Sequence, residues 1–139
     1  MSKLQVPPGQ KPFVRTTIAA TGRKKLVNNA GVFVSGAVND PACNAAEFDC
    51  QFAINVDGVA SAVRAAAPFL GDGGRIISIG SIAGANAPWP GIADYAASKA
   101  AVALYTLGWA RDLGSRGIHD LFRLMANRLI EFTRLFALT

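Results

Sequence analysis

Gly74-Arg-Ile-Ile-Ser-Ile-Gly-Ser81 is a short apolar run bounded by glycines, and Arg75 to Gly80 within it reads as a buried β-strand. Upstream, Leu26 to Asn28 reads as a second short strand. The residues between them carry a helical period. Asn44 can cap a helix with Glu47 three residues on, a capping-box-like start, and Phe48, Phe52, Val56, Val59 and Val63 then recur at three- and four-residue spacing. That apolar stripe requires a sheet to face. Downstream, a second helix is predicted from about Ala93 to Leu113, with Gly114 placed to end it. Strand, helix, strand and helix in this order point to an α/β fold with a parallel sheet.

The second helix holds the chemistry. Tyr95 and Lys99 in Tyr95-Ala-Ala-Ser-Lys99 are four apart, so their side chains share one helix face. A free phenol titrates near about 10 and is a poor proton donor or acceptor at neutral pH, whereas an adjacent ammonium favours the phenolate. Tyr95 is thereby a candidate general acid/base. Taken alone, the pair reads rather as a helix-surface hydrogen bond or cation–π contact. Asn55 and Gly58 fall mid-helix, where Asn competes for backbone hydrogen bonds and Gly costs about 1 kcal/mol relative to Ala.

Four segments occur in order: Lys25-Leu-Val-Asn-Asn-Ala-Gly31, Ile54-Asn-Val-Asp-Gly58, Gly74-Arg-Ile-Ile-Ser-Ile-Gly-Ser-Ile-Ala-Gly84 and Tyr95-Ala-Ala-Ser-Lys99. Together they resemble the short-chain dehydrogenase/reductase family over roughly residues 22 to 118. The resemblance implies that Tyr95 is the catalytic acid/base, that Lys99 eases its deprotonation and holds the nicotinamide ribose, and that Ser81 orients the substrate carbonyl. It implies that Asn55 holds a water of the proton relay, in a locally distorted helix. Asn29, Ala30 and Gly31 would line the adenosine side of the cofactor through their backbone, or simply form a strand-ending turn. The cofactor would be NAD or NADP, and the substrate a small alcohol or carbonyl. The family also builds four-helix interfaces between subunits. A homo-oligomer through helices 44–70 and 93–113 is therefore expected, although the small residues Ala96, Ala97, Ser98, Ala100, Ala101 and Ala103 equally suit packing against the chain's own sheet.

The ends depart from the family. Only about twenty-one residues precede the similar region, where members usually carry a strand, a glycine-rich turn opening a helix, and two further strands. Ala20-Thr21-Gly22 echoes a strand-end turn, but Arg23, Lys24, Lys25 and Leu26 follow it. After Ile118, the residues Leu121, Phe122, Met125, Leu129, Phe132 and Phe136 can share one helix side with Ile118, while Arg123, Asn127, Arg128, Glu131 and Arg134 lie largely elsewhere. Such a helix would cover an exposed sheet face, or bind a membrane surface or partner. The expected architecture is a truncated, partial Rossmann-like (doubly wound, parallel-sheet) domain. It has a basic flexible or single-strand segment over 1–21, a catalytic region over 22–118 and a C-terminal amphipathic helical tail over 119–139. Phe13 to Ile18 could supply a third strand to a weakly stable core.

Composition narrows the function classes. The 139 residues, 51% hydrophobic, suffice for one domain. The net charge of +5 reflects 14 basic and 9 acidic residues, with no acid before Asp40. An organellar leader would suit that acid-free start, but Pro7, Pro8 and Pro12 favour a flexible tail. The basic residues are scattered without aromatic interleaving, which argues against nucleic acid. Cys43, Cys50 and the single His119 are too few and too poorly spaced for a zinc site, so no metal is expected, and the thiols read as reduced in a cytoplasmic protein. No run reaches the length of a membrane span. Two functions follow as expectations: an NAD(P)-dependent oxidoreductase with Tyr95 as acid/base, or an inactive fragment that associates with itself or with complete relatives. Pro88, Trp89 and Pro90 would shape a substrate pocket or form a rigid surface turn.

Overall fold

The computed structural model describes residues 24–125. Among the described residues, three parallel strands form one sheet in the order β1 (Lys25–Asn28), β2 (Arg75–Ser81), β3 (His119–Met125). Leu26 stands beside Ile76 and Asn28 beside Ser78, while Arg75 pairs with His119 on the other flank of β2. Between β1 and β2 run α1 (Ala45–Phe52), a π-helical turn (Ala53–Asp57) and α2 (Gly58–Ala66), closed by a 3-10 turn at Ala67–Phe69. Between β2 and β3 run a one-turn α3 (Ala83–Asn86) and the long α4 (Ala93–Leu113).

Side-chain alternation explains the packing. Along β2, Ile76, Ser78 and Gly80 are buried, with Ile77, Ile79 and Ser81 half-buried between them. Leu26 and Ile76 share a face with Val63, Ala66, Leu70 and Ile118, against which Trp109 and Leu113 pack. Helices α2 and α4 therefore cover the same side of the sheet. The stripe Val56, Val59 and Val63 is buried as the spacing requires, whereas Phe48 and Phe52 in α1 are half-buried. Asn28 and Ser78, cross-strand neighbours on that face, satisfy each other at 3.3 Å.

The helix boundaries follow local chemistry. Asn44 caps α1 by accepting from Ala46 N at 3.1 Å, and Glu47 reaches Asn44 through its own backbone N–H rather than through a reciprocal carboxylate bond. The interruption expected at Asn55 and Gly58 is a π-turn, in which hydrogen bonds lengthen to the fifth residue. Gly114 caps α4 in right-handed geometry, and after a 3-10 turn over Gly114–Arg116 the chain reverses three residues later at Gly117 (φ 62°), a left-handed conformation that suits glycine. Ala96 and Ala100 of α4 face α3 within the chain. A Cβ on Gly84 would lie 2.9 Å from Ala100 N and from the Lys99 carbonyl carbon, so only glycine lets α3 approach α4 this closely.

One expectation is corrected outright: His119–Met125 is a strand, so the helical tail over 119–139 does not begin where its periodicity suggested. Among the described residues it is the third strand of the sheet. The physical reason is long-range. A seven-residue partner on the open edge of β2 satisfies a row of backbone groups, which outweighs a helical pattern legible only within the segment. The remainder of the proposed tail, 126–139, and the segment 1–23 with Phe13 to Ile18 lie outside the described residues.

Candidate active site

Tyr95 and Lys99 stand in the first two turns of α4, just after Ile92, which is fully buried and anchors the helix start with Ala83 and Ala96. Lys99 is 7% exposed, and its Nζ donates to the carbonyl oxygen of Ile79 on β2 at 3.2 Å. The same Nζ lies 5.7 Å from the centroid of the Tyr95 ring. Burial pushes the Lys99 ammonium below the ordinary lysine range, because desolvation disfavours the charged form. Tyr95 is half-buried, and Phe33 packs edge-on against its ring with centroids 4.9 Å apart and an interplanar angle of 74°.

A cavity of about 370 Å³ opens between these elements, lined by Asn29, Gly31, Val32, Phe33, Ile79, Gly80, Tyr95 and Lys99. It sits where β1 and β2 end, the position at which open parallel sheets bind ligands. Asn55 stands immediately behind it. Its Oδ1 accepts from Val32 N at 2.8 Å, while Nδ2 donates to Val32 O at 2.9 Å and to Ser98 Oγ at 3.2 Å. Ser98 Oγ in turn donates to Tyr95 O at 2.7 Å, so the π-turn is wired to the helix turn that carries the phenol.

Four of the expected residues, Asn29, Gly31, Tyr95 and Lys99, thus share one cavity. Ala30 is half-buried and does not line it. Ser81 ends β2 at the rim, where its Oγ accepts from Ala83 N at 3.2 Å. The side chain of Asn55 is engaged by Val32 and Ser98, leaving one lone pair of Oδ1 for a further donor. Pro88, Trp89 and Pro90 are exposed and lie away from the cavity lining. Phe33 and Ser98 were not anticipated: neither residue type stands out in an apolar or small-residue run, and only the close approach of distant segments reveals them.

Two larger recesses lie elsewhere. The first, about 660 Å³, opens beside Lys24 and Arg116, at the end of the sheet where the strands begin. The Arg116 guanidinium there is engaged by the carbonyls of Ala67 and Leu70, with Asp72 at 3.8 Å, which makes it a clasp between loops. The second, about 450 Å³, runs along the outer side of α4. Neither is lined by Tyr95 or Lys99.

Residues 11–120 match the family model for short chain dehydrogenases. The chain belongs to the short-chain dehydrogenase family. It is 44% identical over 93 residues to a cyclic-di-GMP-binding biofilm dispersal mediator protein of Escherichia coli, a match covering 67% of this chain and 38% of that protein. It is 40% identical over 96 residues to an L-xylo-3-hexulose reductase of Hypocrea jecorina, covering 66% and 31% respectively. Among solved structures, a short chain dehydrogenase from Burkholderia cenocepacia in complex with NADP superposes with a TM-score of 0.65 at 45% identity, over 72% of this chain and 39% of that one. The chain thus spans well under half the length of these short-chain dehydrogenases. The fold is Rossmann-like, and the family is one of oxidoreductases. No helix among the described residues is long and apolar enough to cross a membrane.

Proposed function

We propose that this chain carries the acid/base portion of an NAD- or NADP-dependent site that interconverts a carbonyl and an alcohol, with Tyr95 as the general acid/base. The carrying observation is the shared cavity: Tyr95 and Lys99 from α4 converge with Asn29 and Gly31 from the segment after β1. The NADP named with the Burkholderia structure and the reductase named in Hypocrea support a nicotinamide cofactor and a small carbonyl substrate.

The residues present suit the nicotinamide end of such a cofactor. Gly31 leaves room between Asn55 and Lys99, where a Cβ would lie 3.3 Å from Asn55 Oδ1, closer than an ordinary contact, and 3.6 Å from Nζ. The ammonium has three N–H groups, and Ile79 O takes one of them. The pyrophosphate end has no such counterpart among the described residues, which contain no G-x-G-x-x-G run. A bound nicotinamide supplies or accepts the hydride. In reduction, the Tyr95 hydroxyl gives its proton to the developing alkoxide oxygen, and in oxidation it takes that proton back. Lys99 keeps positive charge beside the phenol and offers its remaining N–H groups to ribose hydroxyls. Ser81 orients the carbonyl from the end of β2, and the remaining lone pair of Asn55 Oδ1 receives a water of the relay.

Titration with NADH and with NADPH, followed by nicotinamide fluorescence and thermal stability together, tests the reading. Saturable binding with a raised melting temperature is expected. A folded protein that binds neither would overturn it.

A second reading, a self-associating module, is favoured by the outer side of α4. Leu104 is 70% exposed there, beside the stacked rings of Tyr105 and Trp109, whose centroids are 4.8 Å apart. These residues line the 450 Å³ groove with Ala101, Gly108 and Asp112, an apolar surface suited to a second copy of the chain. Sedimentation equilibrium distinguishes a dimer from a monomer directly.

A further inference from the structure

Gln51 in α1 is completely buried, yet nothing in the acid/base chemistry uses it. Its Oε1 accepts from Val34 N at 2.6 Å, while its Nε2 is buried without a hydrogen-bond partner among the described residues. A residue retained only to fill this space would be apolar, since an orphaned amide N–H in the interior is unfavourable. The acceptor half is the part with a job. That acceptor holds a segment of the site.

The segment is the one that leaves β1. Val32 and Val34 are buried, and Phe33 between them is 44% exposed, an alternation that turns Phe33 away from α1 and toward the cavity. Asn55 grips Val32 through both its N–H and its carbonyl, and Gln51, four residues earlier, grips Val34. Two carboxamides one helical turn apart thus hold two backbone positions that flank one aromatic residue. Gly36 N extends the anchorage by donating to Gly91 O at 2.8 Å, in the loop that leads into α4. Phe33 then meets the ring of Tyr95 edge-on at 4.9 Å.

We propose that Gln51 is a positioning residue of the site: by holding the Val34 N–H it seats Phe33 against Tyr95 and so fixes the cavity wall beside the acid/base. The catalytic meaning of this seat rests on the reading of Tyr95 given above, but the seat itself is measurable without turnover or cofactor.

The test is nuclear magnetic resonance on the full chain, following the Val34 amide and the ring protons of the two tyrosines, with Tyr95→Phe used only for assignment. In the native protein, Val34 N–H exchanges slowly and Phe33→Ala displaces the Tyr95 ring signals while those of Tyr105 stay in place. Gln51→Met, close in volume and without an acceptor, speeds Val34 exchange about tenfold and moves the Tyr95 signals toward their Phe33→Ala positions. Gln51→Glu, protonated when buried and still an acceptor, restores both. A merely structural role would move Tyr105 equally and would show no rescue. Fast Val34 exchange in the native protein, which requires no variant, would overturn the proposal, as would Gln51→Met leaving the Tyr95 signals unmoved. Failure of NADH and NADPH to bind, with these signatures intact, would count against the proposed activity and not against the seat.

Discussion

Lys99 Nζ and Ile79 O are 3.2 Å apart across twenty residues of sequence, and this bond fixes α4 to the central strand at the turn that carries Tyr95 and Lys99. It also leaves an ammonium largely desolvated. Because burial lowers the folded-state pKa of Lys99 below 10.5, the protonated lysine binds its proton less tightly in the folded than in the unfolded chain. Stability is therefore diminished below the folded pKa, and it rises with pH between that value and 10.5. Lys99→Met should abolish this alkaline increment. Urea unfolding of both proteins across alkaline pH checks it, and parallel curves would refute the burial argument.

Tyr95→Phe should reduce any turnover by about a hundredfold or more while leaving the fold in place, because general acid/base catalysis contributes on that scale and the ring itself is kept. Circular dichroism establishes the fold and steady-state kinetics the loss. Equal turnover in the variant would remove Tyr95 from the mechanism.

Asn55→Ala removes three buried hydrogen bonds and strands the Val32 N–H and carbonyl in the interior. A loss of about 2–4 kcal/mol is expected, since each orphaned buried group costs about 1–3 kcal/mol and some relaxation follows. Denaturant titration measures it. A loss below about 0.5 kcal/mol, the range of an ordinary surface change, would show that Asn55 does not brace the site.

Gly84→Ala should be destabilising by about 1–3 kcal/mol, as overpacking typically is, because the added methyl meets the backbone of α4 rather than a flexible side chain. Thermal melts of the variant and the native chain decide this, and an unchanged midpoint would mean that α3 yields without strain.

Leu104→Glu places a charge in the groove on the outer side of α4 without touching the cavity. If that side joins two copies, the variant sediments as a monomer under conditions where the native chain is a dimer, and its melt ceases to depend on concentration. Identical behaviour of the two proteins would exclude this surface.

Local patterns marked most of the framework. The Ile-Ile-Ser-Ile run and Leu26 to Asn28 became β2 and β1, and the period through Val56, Val59 and Val63 became the buried side of α2. The four-residue spacing of Tyr95 and Lys99 held because both lie in one uninterrupted helix. Where a reading failed, the deciding partner was distant. His119–Met125 had an apolar spacing compatible with a helix, and the open edge of β2 made it a strand.

The sequence by itself determined the order strand, helix, strand, helix from Lys25 to Leu113, the parallel α/β class and the placement of Tyr95 and Lys99 on one helix face, since these depend on periodicities and spacings within single segments. Tertiary structure alone decided which backbone Asn55 and Gln51 would clasp, that Phe33 would face Tyr95, and that Lys99 would reach Ile79. Those contacts join residues 17 to 62 positions apart. No local spacing encodes them; they arise when burial of the faces around Leu26 and Ile76 brings the helices onto the sheet.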